Sequence, residues 1–234
     1  MKLRLATGIL LSGLWCVNSA NAQAADAALQ REVTAVRIGV EGSNAALRQY
    51  TWSELTEVSV KGDVKSSTVL NCRYDGAGKV AKTAVSEAAE EKKRTSATSN
   101  KPRVRKRADM QDYIERAISL IQVYVPPKPE QIDALLRNGS ASLGQAEDGK
   151  PEIRFARYYQ AGDLMSFTYD PVSKALLRAS IKSTLGSPKD PVTLNAVFET
   201  LPDGPTHVAS SVLSAPTRKI QVTTKNYTYQ KLPN

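Results

Sequence analysis

The stretch Gln49–Gly62, QYTWSELTEVSVKG, is where the chain changes its period. Its even positions carry Tyr50, Trp52, Thr56, Val58 and Val60, and its odd positions carry Thr51, Ser53, Glu57 and Ser59. Successive side chains of a strand point to opposite faces, so this alternation predicts a half-buried strand with one wet face. Glu54 and Leu55 interrupt the pattern, and a bulge is expected there. Just downstream, Gly62-Asp63 predicts a tight turn into VKSSTVLNCRYD, residues 64–75, where Val64, Leu70, Cys72 and Tyr74 share parity. Asp75-Gly76-Ala77-Gly78 predicts a second turn, into a strand around Lys79–Ser86. Three strands joined by short glycine turns read as an antiparallel meander.

Upstream the period is helical. Leu29, Val33, Val36 and Val40 recur at steps of three or four, which predicts a helix over residues 24–49. Gly39 and Gly42 are expected to break it before a last turn at Ser43–Arg48. Residues 1–22 read as a secretory signal: Lys2 and Arg4 precede an apolar run from Leu5 to Val17, and Ala20-Asn21-Ala22 offers a small-residue cleavage pattern. That run is shorter than the ~20 apolar residues a bilayer-spanning helix needs. The expected product is an exported, soluble protein, one domain over residues 23–234, periplasmic or otherwise outside the cytoplasm. Trp15 stands where a lipidation signal before Cys16 carries a small residue, so Cys72 is the one cysteine of the expected mature chain. Stability must then come from a packed core.

Helical spacing returns in Met110, Tyr113, Ile114, Ala117, Ile118 and Ile121, with Asp109 expected near the helix start. Pro126, Pro127 and Pro129 end it. Pro129 suits the first turn of a second helix with Ile132, Leu135 and Leu136 inward and Gly139 just past its end. A helical insertion is thus expected over residues 108–138. From Ser140 onward the chain reads as about six further strands. DLMSFTYD (163–170) places Met165, Phe167 and Tyr169 on one face, LLRASIKST (176–184) places Leu177, Ala179 and Ile181, and PVTLNAVFETL (191–201) places Val192, Leu194, Ala196 and Phe198. So many strands in one antiparallel sheet must curl to bury a face, and the helices need that same face. The expected fold is mainly β with helices (α+β): a strongly curved antiparallel sheet forming an unclosed half-barrel, with an inserted helical lid or plug.

The chain holds 32 basic and 23 acidic residues. Two of the basic ones lie in the leader and eight in Lys92–Arg107, KKRTSATSNKPRVRKR, so the rest balances at 22 against 23, a net charge of −1. The basic excess therefore sits in one segment, within an expected flexible loop over residues 87–107. That run carries no aromatic residue to stack bases, and the chain is expected to be exported, so nucleic acid is not an expected partner. Two readings stand for Lys92, Lys93, Arg94, Lys101, Arg103, Arg105, Lys106 and Arg107. They touch an anionic membrane surface, at about 1 kcal/mol per residue close to the headgroups, or they belong to a self-repelling loop without a partner.

Catalytic and metal signatures are missing. One histidine and one mature cysteine fall short of the four ligands of a structural zinc site, so neither metal nor cofactor is expected. No serine sits in a Gly-x-Ser-x-Gly elbow. His207, after a Pro-Gly turn, reads as a turn or surface residue. Gly76-Ala77-Gly78 precedes a strand rather than a helix and is no phosphate loop. The protein is not expected to be an enzyme. What remains is an apolar stripe: Trp52, Val58, Leu70, Phe167, Tyr169, Ile181 and Phe198 on strands, with Ile114, Ile118 and Ile121 on the helix, are expected to line the concave face.

Helix, then Gln49-Tyr50-Thr51-Trp52 opening a long meander, then RYDGAGKV (73–80), a helical plug, the DPVSKALLR hairpin (170–178) and KNYTYQKL (225–232) resemble the LolA/LolB lipoprotein-carrier fold. The likeness covers most of residues 43–232 and is one of element order and turn placement. It implies an unclosed barrel whose hollow, lined by apolar side chains, accepts acyl chains. It also implies an inward arginine that ties lid to barrel; Arg73, Arg154 and Arg178 lie on predicted strands, and none matches that role. The expected function is a soluble binding protein for lipid or lipoprotein acyl chains. The alternative is a non-catalytic envelope interaction or sensor module whose barrel core is filled.

Overall fold

A computed structural model describes residues 16–85, 101–202 and 204–233. Among the described residues the elements run α1 (Cys16–Leu47), β1 (Tyr50–Val60), β2 (Asp63–Tyr74), β3 (Val80–Ala84), α2 (Lys101–Gln122) and α3 (Pro129–Arg137). Seven strands follow: β4 (Ala141–Gln145), β5 (Pro151–Ala156), β6 (Leu164–Tyr169), β7 (Leu176–Thr184), β8 (Pro191–Thr200), β9 (Thr206–Ala215) and β10 (Ile220–Lys231). They make one ten-stranded sheet of order β3-β2-β1-β10-β9-β8-β7-β6-β5-β4. Every neighbouring pair is antiparallel, and β1 returns against β10. The edges β3 and β4 are consecutive in the chain yet stand at opposite ends of the sheet, and α2 and α3 lie in the connection between them. The fold is an unclosed, curved half-barrel with a helical insertion across its open side, as the strand periodicity predicts.

Cross-strand registers show which residues share the concave face. Phe155 faces Met165, Met165 faces Ile181, Ile181 faces Leu194, and Leu194 faces Leu213. The row continues through Val222 to Val58 and then to Ser66. From β5 to β9 its side chains meet the helices. Leu29, Val33 and Val36 of α1, Tyr113, Ala117 and Ile121 of α2, and Ile132 and Leu135 of α3 are buried against them in one core. A buried aliphatic or aromatic side chain contributes about 1.5–3 kcal/mol, so this cluster dominates the stability. Polar ties fix the helices in place. Tyr113 donates to Asp190 Oδ1 at 2.6 Å, and burial with that bond pushes its phenol up to about 12. Asp163, buried beside Tyr124, accepts from that hydroxyl at 2.7 Å and from the N–H groups of Tyr158, Tyr159 and Gln160.

Four local expectations are corrected. α1 runs unbroken through Gly39 and Gly42. Each glycine costs a helix about 1 kcal/mol, less than the seating of the apolar face contributes. α2 begins at Lys101, before the expected start at 108, so Lys101, Arg103, Arg105, Lys106 and Arg107 belong to a helix and not to a loop. Pro102 is tolerated in a first turn, and the arginines and lysines after it are good helix formers. The β1 irregularities fall at Thr51/Ser53 against β10 and at Val58/Ser59 against β2, not at Glu54-Leu55. The β1–β2 turn centres on Lys61 and Gly62, both at positive φ (56° and 87°), the conformation of a two-residue hairpin turn. Lys92, Lys93 and Arg94, and residues 1–15 of the expected leader, lie outside the described residues; residues 16–22 are the first turns of α1.

Candidate ligand-binding site

The helices cover only part of the concave face. β1, β2 and β3 form a wing beyond them, and residues 63–69 of β2 are exposed throughout. Along the margin of the covered part, two cavities flank α1, and Val40, Asn44 and Leu176 line both. The first, about 280 Å³, is apolar. Val33, Val36 and Val40 of α1, Ile132 of α3, and Ile153, Phe155 and Phe167 of the sheet wall it, with Pro126, Pro127 and Pro129 along one side. The second, about 230 Å³, lies toward the wing, between the end of α1 and the strands β1, β2, β3, β8, β9 and β10.

The wing-side cavity is aromatic and polar. Trp52 stacks on Tyr229 with centroids 5.7 Å apart, and Tyr74 tilts against Trp52 at 5.5 Å. Burial pushes the phenols of Tyr229 and Tyr74 upward, so both stay neutral donors. Trp52 faces Cys72, which faces Lys82, and Lys82 Nζ donates to both Glu54 oxygens at 2.7 and 2.8 Å. Cys72 is buried beneath this pair, and loss of solvation raises its thiol.

His207 overturns its sequence assignment. It is not a surface residue: it is 6% exposed and packs with its ring centroid 4.1 Å from that of Tyr229. Tyr229 reaches the same cavity by a different route. Thr228 adopts φ 54°, rare for a β-branched residue, where the β1–β10 register slips. The slip lets Asn226 and Tyr229, an odd number of residues apart, both line the cavity, a re-aiming that bulges commonly perform.

α1 is held over the sheet by few polar contacts. Glu32 accepts from Lys174 Nζ at 2.8 Å and is bonded by the Tyr169 hydroxyl. The lysine bond holds the Glu32 carboxyl below its ordinary range, and burial together with that carboxylate pushes the Tyr169 phenol upward. Ser43 Oγ accepts the Thr206 N–H at 3.2 Å, and Arg37 sits 3.8 Å from Asp133. α1 is therefore tied by a lysine–glutamate pair, and α2 of the inserted segment through Tyr113 and Asp190. Arg154 and Arg178 point to the outer face, toward Glu152 and Asp148, and Arg73 is exposed.

The ten expected lining residues separate into groups. Trp52 and Phe198 line the wing-side cavity, and Phe167 lines the apolar one. Ile121, Tyr169 and Ile181 are buried in the closed core, with Ile114 and Ile118 packed on its margin. Val58 and Leu70 are half-buried on the wing strands. His207, Asn226, Tyr229, Glu54 and Lys82 complete the wing-side wall. Register slips hide both His207, beyond the one in β9, and Tyr229, beside the one in β10.

No family model and no curated protein matches this chain. Among solved structures, the crystal structure of a DUF1329 family protein from Desulfovibrio piger ATCC 29098 is similar over 82% of this chain and 93% of that one, with 11% identity and a TM-score of 0.37.

Proposed function

We propose that this protein is an exported, soluble, non-catalytic binding protein that takes lipid or lipoprotein acyl chains into an apolar hollow. The observation that carries the reading is the apolar cavity under α1, walled by valines, isoleucines and phenylalanines. It is separated from the wing-side cavity by the α1 segment that lines both. A modest lift of α1 would open the apolar cavity into a trough along the concave face. Each methylene moved from water into such a trough contributes about 0.8 kcal/mol, so six methylenes supply ~5 kcal/mol before ordering costs. The order of elements resembles the LolA/LolB carriers, which supports the same reading. The leader-like residues 1–22 support export. Among the described residues no helix is long and apolar enough to cross a membrane. The basic stretch 92–107 is proposed to bring the open side to an anionic membrane surface.

Native mass spectrometry of protein purified from its own envelope tests the assignment. The expected result is a co-purifying acyl lipid and, after delipidation, saturable uptake of a fluorescent fatty acid. A clean mass with no uptake would overturn it. That outcome would favour the second reading, a filled-core interaction or sensor module. Its support is the dense packing between sheet and helices, where Tyr124, Met165, Val192 and Ala215 are fully buried.

A further inference from the structure

The wing-side cavity holds polar chemistry that an acyl chain would leave unused. His207 and Asn226 both line it, and His207 Nδ1 and Asn226 Oδ1 are buried with no hydrogen-bond partner among the described residues. With His207 only 6% exposed, its unpaired nitrogen is an expensive feature of the fold. Asn226 Nδ2 donates to the Val208 carbonyl at 2.8 Å, which fixes the amide and leaves its oxygen as a free acceptor. The rings of Trp52, Tyr74 and Tyr229 line the same cavity, and Tyr229 lies 4.1 Å from the imidazole. The charges on the wall, Glu54 and Lys82, are bonded to each other. A ligand with net charge would therefore lose its hydration without finding a counter-ion. A purely apolar chain would leave both polar atoms unpaired.

We propose that this cavity binds one pyranose sugar, uncharged and either free or as the headgroup of a glycolipid. Its hydroxyls pair with Asn226 Oδ1 and His207 Nδ1, and its C–H face lies against the aromatic wall. A hydroxyl both donates and accepts, so it satisfies the imidazole in either tautomer. At about 230 Å³ the cavity suits a single ring rather than an oligosaccharide. The left-handed Thr228, which brings Tyr229 to the wall, is the kind of local strain that gathers at ligand sites.

The chain has a single histidine, and its two tryptophans are Trp15 and Trp52. In a Trp15→Phe chain, Trp52 fluorescence and the lone imidazole proton resonance both report on this cavity. Glucose and octyl β-glucoside, the latter below its micelle concentration, are the probes. The expected result is a saturable change in both signals. His207→Phe, which keeps a ring against Tyr229, and Asn226→Leu should each weaken binding at least tenfold by fluorescence, with the unfolding temperature unchanged or raised. Equal affinity for the two probes marks a free sugar as the ligand. Octyl glucoside at least tenfold tighter, with the tenfold losses retained, marks a glycolipid headgroup. No saturable response to either probe, or a response that both variants leave intact, would overturn the proposal and leave ordered water as the partner of the two atoms. Fatty-acid uptake is a separate readout, so failure of the sugar site and failure of the acyl reading are told apart.

Discussion

Replacing Glu32 by Gln should loosen α1 from the sheet without unfolding the protein. The carboxylate receives a charge-assisted bond from Lys174 at 2.8 Å and a second bond from Tyr169. Bonds to charged groups are worth about 1.5–3 kcal/mol each when shielded. Here the two side chains of the ion pair are 28% and 29% exposed, so solvent screening reduces the combined loss to about 2 kcal/mol. Against this stand the buried Leu29, Val33, Val36 and Leu47 of α1, together worth at most roughly 6–12 kcal/mol. The helix should stay seated, but its opening equilibrium should rise about 30-fold. Amide hydrogen exchange reads this directly: protection across residues 29–40 should fall by about that factor, while β5–β8 stay unchanged. Glu32 also sets a sign for pH. Its carboxyl is held below the ordinary value of 4.5, so the tie is fully present above that pH and is lost as pH falls through the depressed value. Corrected for intrinsic exchange, wild-type α1 should lose protection on acidification below pH 4.5, and the Gln variant should not. Unchanged exchange in α1, or an equal rise throughout the sheet, would refute a helix held by this pair.

Four further outcomes follow from the same contacts. Asp163→Ala strips a buried acceptor from three backbone N–H groups and the Tyr124 hydroxyl, and urea unfolding should show a loss of about 4 kcal/mol. Thr228→Gly relieves a left-handed β-branched residue and should gain about 1 kcal/mol by thermal unfolding, with Tyr229 still stacked on Trp52. In a Cys16→Ser chain, the buried Cys72 with its raised thiol should resist an aromatic disulfide reagent at pH 8 and react only once denaturant opens the wing. Replacing the eight basic residues of 92–107 by glutamine should abolish sedimentation with anionic vesicles; unchanged sedimentation would leave the run without a membrane role.

The half-barrel was legible because stretches of period-two alternation recur from strand to strand, as at Tyr50–Ser53 and Val192–Phe198, and short slips do not erase the apolar inward set. Features set by tertiary packing or by single backbone irregularities were not legible. Gly39 reads locally as a helix breaker, yet the core seats the residues around it, and the carbonyl of Lys174 lies 3.5 Å from where its Cβ would stand. Thr228 reads as one more strand residue, and nothing in KNYTYQKL announces the left-handed conformation that aims Tyr229 inward. His207 was hidden in the same way: the β8–β9 register slips between Ser210 and Val208, so the parity of Leu213 and Ala215 does not carry through to it, and the preceding Pro-Gly turn suggested a loop.

The two cavities share a cause in the arithmetic of the sheet. Among the described residues, ten strands form a concave face wider than three helices cover. The inward row that starts at Phe155 and Met165 stays apolar through Leu213, Val222 and Val58, then turns polar at Ser66, which no helix among the described residues covers. Apolar side chains thus end near the edge of the helical cover. At that margin a full core has no partner layer, and an open face would expose Trp52, Tyr229 and Phe198 to water. The chain resolves the conflict with the last turns of α1, which half-cover the aromatic patch and leave space beneath. A packed core alone requires neither the buried unpaired atoms of His207 and Asn226 nor the strained Thr228 beside them. Their concentration at this one margin is the physical reason to look for a ligand there.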